Sequence, residues 1–400
     1  MSRAQVDVLI AGAGVGGAAL ALALGRAGLR VLVVEKRAGP GNVNRGDSLL
    51  PAVTAHLAGW GALERLHAAG ARPVAKMQVF QGARLLLEAP LAPPGSPHPY
   101  LVLPHPEIER VLVEAALATG RVAVRYGARL LRLTYDAGRV GGAVVATGAG
   151  EEEIPARLVA GADGSSSRVR EALGVPFPRA AYDHGFFIVD VDRPGAYEDA
   201  MRIELHADGG VLVVPQGADR MGLGVLVRAA DTELFRAGAI EDKLAAIGRR
   251  SPLLAGRRAF PGAHLYQVWR GHAPRYVQDG AVLLGDAVHV TNPTAGQGMT
   301  MAVEDAAALA RHAGAALAGG ARGATLDDAL RAYERERHPA NEAQIRWSHW
   351  MSRFYAFGGA LGDLVRRRAF ALGASPLGRA IQQRIWTRVA TRSVEERSAP

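Results

Sequence analysis

Apolar and polar positions follow different rhythms along the chain, and each rhythm predicts a different element. "VDVLIA" (Val6–Ala11) is an apolar run of strand length, and Val31–Val34 is a second run closed by Glu35. Between them, Ala18–Ala27 is small and apolar, which suits a helix packed close to a sheet. "HPEIERVLVEAALATG" (His105–Gly120) places Ile108, Val111, Leu112 and Ala115 at helical spacing. Strand-like runs follow at Val122–Arg125 and Arg139–Ala146, and another occupies Lys76–Leu91 before a Pro-rich turn at Pro93–Pro99.

From Val175 to about Arg275 the period falls to two. Met201–Arg228 alternates, with turn signals at Asp208–Gly210 and Gly217–Arg220, and predicts an antiparallel sheet. One helix is expected near Ile240–Arg249. Beyond Tyr276, "AVLLGDA" reads as a strand, followed by a helix over about Gly298–Ala318. A further helix is expected to start at Thr325, with Asp328 three residues on in a near capping box. The fold class expected is α/β: a Rossmann-like nucleotide domain (1–72, 100–175, 276–400) interrupted by a mainly antiparallel sheet domain (73–99, 176–275), with a helical C-terminus.

Composition narrows this picture. With 400 residues, 49% of them hydrophobic, the chain is long enough for one large core or two domains. It offers no uninterrupted apolar stretch of about 18 residues, so no spanning helix is expected. The first strand begins almost at once, which predicts no signal peptide and a cytoplasmic location. The absence of cysteine excludes disulfides, thiolate metal sites and cysteine nucleophiles. A net charge of +9 raises nucleic acid as a partner. Lysine occurs only at Lys36, Lys76 and Lys243, however, and the arginines are scattered. That pattern matches a GC-rich coding bias better, so no nucleic-acid partner is expected.

The chemistry begins at Gly12, Gly14 and Gly17, a G-x-G-x-x-G between strand and helix. Gly12 permits the tight turn, Gly14 lets backbone N–H groups approach a pyrophosphate, and Gly17 lets the helix sit against the sheet. Glu35, followed by Lys36, stands where a carboxylate accepts hydrogen bonds from a ribose. The motif predicts a dinucleotide without specifying which. Two more segments end strands in an acid: "GADGSSSRVR" with Asp163, and "LLGDAVHVTNPTAGQGM" with Gly285-Asp286. Asp163 and Asp286 also fit ordinary turn residues. In the second segment Gly296 and Gly298 open a helix whose N-terminus can face developing negative charge.

These three segments, in this order, resemble the group A flavoprotein monooxygenases, whose type member is para-hydroxybenzoate hydroxylase, over roughly Val6 to His338. The resemblance implies FAD. Gly12, Gly14, Gly17 and Glu35 would hold its ADP half, Asp163 would lie near the pyrophosphate, and Asp286 would bond the ribityl chain. Pro293 to Met299 would line the isoalloxazine ring. Arg45, in "NVNRGDSLL", would sit beside the flavin, so Arg45 and Pro293 are the residues assigned to the reacting ring. His105 stands where many members carry Arg or Gln against FAD, and Thr300 where many carry Asn.

The resemblance also implies NADPH or NADH as a transient reductant, O2 as co-substrate and oxygen transfer through a flavin C4a-hydroperoxide to an aromatic or electron-rich apolar molecule. Biosynthetic tailoring, by a monomer or homodimer, is the expected setting. "GLGVLV" (Gly222–Val227) lacks a third glycine, so no second dinucleotide unit is expected. Tyr182, His184, Arg202, His206, Gln216 and Tyr266 are candidates, by location, for activating the substrate. A flavin-dependent halogenase, a prenyl-chain reductase and a non-catalytic binding protein are the alternatives. Trp269 is followed by Arg270 and Gly271, so the halogenase W-x-W-x-I-P signature is absent. Trp347, Trp350, Met351, Phe354 and Tyr355 share one helical face. Core packing is the first reading of that face; a channel wall, a dimer contact or, with Arg366–Arg368 and Trp386, a membrane-surface face are the others.

Overall fold

A computed structural model describes residues 6–41, 48–93, 95–195, 197–293, 296–357, 359–376 and 378. The opening segment forms β1 (Val6–Ala11), α1 (Val15–Arg26) and β2 (Val31–Glu35). β1 pairs in parallel with β2 on one side and with the strand Gly150–Gly161 on the other. Val122–Tyr126 and Ala281–Leu283 extend this parallel sheet outward. Parallel strands lie buried on both faces, which is why β1 and β2 read as near-continuous apolar runs. Val8, Leu9 and Ile10 are fully buried. Arg129–Asp136 and Arg139–Thr147 add an antiparallel flap to the N-terminal half of Gly150–Gly161.

The second sheet is almost wholly antiparallel. Its strand order is His289–Val290, His264–His272, Arg179–Asp192, Arg220–Val227, Val211–Pro215, Met201–Glu204, Lys76–Gln81 and Arg84–Pro90. Lys76–Gln81 pairs with Met201–Glu204, so two segments far apart in the chain share one sheet. His289–Val290, which follows the Gly285-Asp286 turn, joins this sheet at its edge. The turn is thereby fixed between the two sheets. Phe187, Val189, Val191, Val213, Val225 and Phe235 form the core beneath the second sheet.

Two sequence expectations need correction. The long helix runs Gly323–Ala356, with Arg322 at its N-cap, so Thr325 lies inside the helix and caps nothing. Gly323, at φ 53°, makes the entry turn two residues earlier than a hydroxyl cap would. The aromatic face of the same helix is also divided. Phe354 and Tyr355 pack with Phe370, beside the core under Lys76–Pro90, whereas Trp347 and Trp350 stack on each other and are about half exposed. A single helical stripe turns past the edge of its neighbour, so only part of it is covered. Trp386 lies outside the described residues.

Candidate active site

A cleft of about 540 Å³ opens at the C-terminal ends of β1 and β2, lined among others by Gly12, Gly14, Glu35, Lys36, His105 and Asp163. This is where a parallel sheet presents helix N-termini to a ligand. Gly12 has φ 102°, and a Cβ there would lie 2.4 Å from the Ala162 carbonyl oxygen. A Cβ on Gly17 would lie 2.0 Å from the Gly12 carbonyl oxygen, so α1 packs this close only without a side chain. Gly14 is the N-cap of α1, and no side chain caps the helix. The donors of its first turn therefore face the cleft, as a pyrophosphate requires.

The rim of the cleft holds a charged lattice that the sequence did not reveal. Arg37 donates two hydrogen bonds of 3.0 Å to the carboxylate of Glu109, and its Nε donates to Glu35 at 3.1 Å. Glu35 also accepts the Ala13 N–H at 2.9 Å. Burial alone would raise the Glu35 pKa, but the bonds from Arg37 and Ala13 outweigh it and hold the pKa below the ordinary value. Glu109 lies on the helix His105–Leu117, 72 residues from Arg37, and further accepts the Gly41 N–H at 3.0 Å. Arg37 was legible only as a neighbour of Glu35. Ser167 caps the short helix Arg168–Ala172, and Asp163 braces its entry, accepting the Ser167 hydroxyl and the Arg168 and Val169 amides. Its carboxylate shapes the cleft wall from beneath.

The second half of the expected set lies across α1. Gly285-Asp286 forms a tight turn, with Asp286 exposed and the Gly285 N–H donated to Asp305 at 3.1 Å. Gln297–Leu309 is helical, with Gly296 at its N-cap (φ 64°), so the helix begins one residue before Gly298. Cβ atoms built on Gly16 and on Gly285 would each lie 3.3 Å from the Ala302 Cβ on this helix. That single residue joins the G-x-G-x-x-G helix and the Gly285-Asp286 turn to the helix Gln297–Leu309. Thr291 Oγ1 and Thr300 Oγ1, one on each side of that segment, are buried without a hydrogen-bond partner among the described residues. Uncompensated hydroxyls are costly unless a ligand satisfies them, and a flat ring edged with polar atoms would do so. Arg45 lies outside the described residues.

The substrate candidates separate. His184 turns toward the segment before Pro293, its Nε2 3.2 Å from Asn292 Nδ2 and 3.1 Å from Ser352 Oγ, whereas Tyr182 bonds His349 Nδ1 on the long helix at 2.9 Å. Tyr266 packs on Phe186. Arg202 is held within the sheet by Glu204 and lies over the Phe80 ring. His206 bonds the Asp208 N–H in its own turn, and Gln216 accompanies the Arg220 turn through backbone hydrogen bonding.

An FAD-shaped demand thus meets a glycine cradle, an uncapped helix N-terminus and two unpartnered hydroxyls. The chain belongs to the family described as FAD binding domain, whose model matches residues 5–348. It is 28% identical to 6-methylpretetramide 4-monooxygenase of Streptomyces rimosus, over 96% of this chain and 92% of that protein. It is 32% identical to dialkyldecalin synthase of Streptomyces rugosporus, over 83% of this chain and 69% of that protein. The structure of aklavinone-11 hydroxylase with FAD and aklavinone superposes with a TM-score of 0.75 at 27% identity, covering 89% of this chain and 70% of that one. The chain is an FAD-dependent monooxygenase of the single-component flavoprotein hydroxylase type, using NAD(P)H and O2. No helix among the described residues is long and apolar enough to cross a membrane.

Proposed function

We propose that the chain hydroxylates an aromatic or electron-rich, fairly apolar small molecule in a biosynthetic tailoring step, acting as a monomer or homodimer in the cytoplasm. The observation that carries this is the convergence on Ala302, which brings the cleft and the helix opening at Gln297 together beside the second sheet. FAD, when bound, supplies the transfer of electrons from NAD(P)H to O2 and of one oxygen atom to the substrate. The chain binds, orients and excludes water.

In this reading Gly12, Gly14 and Gly17 shape the pyrophosphate site, and the Glu35–Arg37–Glu109 lattice fixes the adenosine end beside Lys36. His105 and Asp163 close the wall. Asp286, held at a fixed turn by the Gly285–Asp305 bond, offers its exposed carboxylate to the ribityl hydroxyls. Pro293, Gly296, Gly298 and Met299 bound the ring. The helix N-terminus stabilises negative charge there, and the hydroxyls of Thr291 and Thr300 supply polar contacts. Arg45 is assigned a place beside the flavin.

The purified protein is expected to be yellow and to carry FAD. Its substrate should accelerate NAD(P)H oxidation and leave a product one oxygen heavier, labelled from ¹⁸O₂. Asp286→Ala should weaken FAD retention about ten-fold, the scale of a lost charge-assisted hydrogen bond; unchanged flavin content removes that role.

A further inference from the structure

The strand Arg179–Asp192 carries an irregularity immediately before Gly185, at the residues that lead to the segment preceding Pro293. Its pairing with His264–His272 runs Ala181↔Trp269 and resumes at Gly185↔Gln267, so Tyr182, Asp183 and His184 together face Val268 alone. A bulge of this kind bends the strand and re-aims its side chains, often beside a functional site. Gln267 Nε2 stabilises it by donating to the Tyr182 carbonyl at 2.7 Å. His184 is 5% exposed and shares a face with Tyr182 and Phe186, while its neighbour Asp183 is at the surface.

His184 enters a buried polar set. Asn292, Ser348 and Ser352 are fully buried. Ser348 Oγ donates to the Asn292 carbonyl at 2.6 Å, and Asn292 Nδ2 donates to Ser352 Oγ at 2.8 Å. Both serines lie on the long helix Gly323–Ala356, and Asn292 immediately precedes Pro293. The Asp183 carboxylate, 3.0 Å from His184 Nδ1, only accepts, so the neutral ring carries its proton on Nδ1 and leaves Nε2 as an acceptor. Nε2 then accepts a hydrogen bond from the Ser352 hydroxyl at 3.1 Å, and the Ser352 oxygen accepts from Asn292. Burial lowers the His184 pKa against the opposing pull of Asp183, which keeps that acceptor available at neutral pH.

We propose that His184 is a positioning residue that clamps Asn292, through Ser352 and the long helix, and so fixes the Thr291–Pro293 segment against the N-terminus of the helix Gln297–Leu309. The clamp ties a strand of the second sheet to the segment that bounds the ring site, so the two sheets hold that segment jointly. The assignment of the segment to the ring rests on the proposed function, but the clamp is a property of the apoprotein.

Amide hydrogen exchange of the apoprotein, read on peptides covering Val288–Met301, tests it. His184→Ala should speed exchange there about ten-fold, the effect of losing a buried hydrogen bond on local opening. His184→Gln, which returns an acceptor at the Nε2 position, should restore it. Asn292→Ala should match His184→Ala, and the double variant should add nothing to either. With FAD added, iodide quenching of flavin fluorescence should rise in His184→Ala and fall back in His184→Gln. Unchanged exchange in His184→Ala, or a Gln variant as fast as the Ala variant, overturns the clamp. If His184→Ala fails to fold, the Gln variant against Ser352→Ala decides: wild-type exchange in both overturns the proposal, and faster exchange in Ser352→Ala alone supports it. Should the wild type take up no FAD, the functional reading fails while the exchange result still judges the clamp.

Discussion

At the scale of single residues, buried polar groups cluster where the two sheets meet. Asp305 is fully buried and accepts from the Gly285 N–H, His289 Nε2, Arg337 Nε and Asn341 Nδ2 at 2.8–3.1 Å. Burial alone would raise its pKa, yet His289, Arg337 and Asn341 outweigh it and hold the carboxyl below the usual range. Nearby His272 bonds the Tyr276 hydroxyl at 2.6 Å and packs against His338. Burial first, and the charges of His338 and His289 second, push its pKa down from 6.5 to about 4. A histidine depressed in the folded state binds its proton more readily in the unfolded chain. Stability should therefore fall on acidification from pH 6.5 to about 4 and gain nothing more from this residue below that window. One proton corresponds to a slope of about 1.4 kcal/mol per pH unit. Urea unfolding of His272→Gln should show a shallower slope in that range than the wild type; equal slopes would contradict the assignment.

At the scale of elements, the opening β1–α1–β2 unit was readable because its requirements are local. A tight turn, a close helix and an open N-terminus each need glycine at one position, and a Cβ at Gly12 or Gly17 collides with backbone rather than with a flexible side chain. Gly17→Ala should push α1 from the sheet, cost about 1–3 kcal/mol as an overpacked core does, and abolish FAD uptake. A variant with full flavin content and unchanged thermal midpoint would show that the helix tolerates the shift. The start of the long helix was misread for the opposite reason. A hydroxyl three residues before an acid is a common pattern, whereas the entry at Gly323 depends on a backbone turn that leaves no such signature.

At the scale of the whole molecule, Arg337 joins the parts. It comes from the long helix, pairs with Asp305 and Glu304 on the helix Gln297–Leu309, and is itself nearly buried. Arg337→Met would leave the Asp305 charge buried without its guanidinium partner, and should destabilise the fold by about 3–5 kcal/mol. Adding Asp305→Asn to that variant should recover part of the loss, a non-additivity that chemical denaturation would measure. Strictly additive losses would mean the two residues act separately.

The sequence by itself determined what one or two turns of chain can enforce: the apolar strands, the glycine spacing, the acids that end strands, and through them the flavoprotein class. Tertiary structure alone decided which distant groups meet. Arg37 with Glu109, Gly16 with Ala302, and His184 with Asn292 are separated by 72, 286 and 108 residues. Such contacts depend on sheet register, on a bulge and on helix packing. Local propensity carries no information about them, because each is stabilised only after the intervening chain has folded.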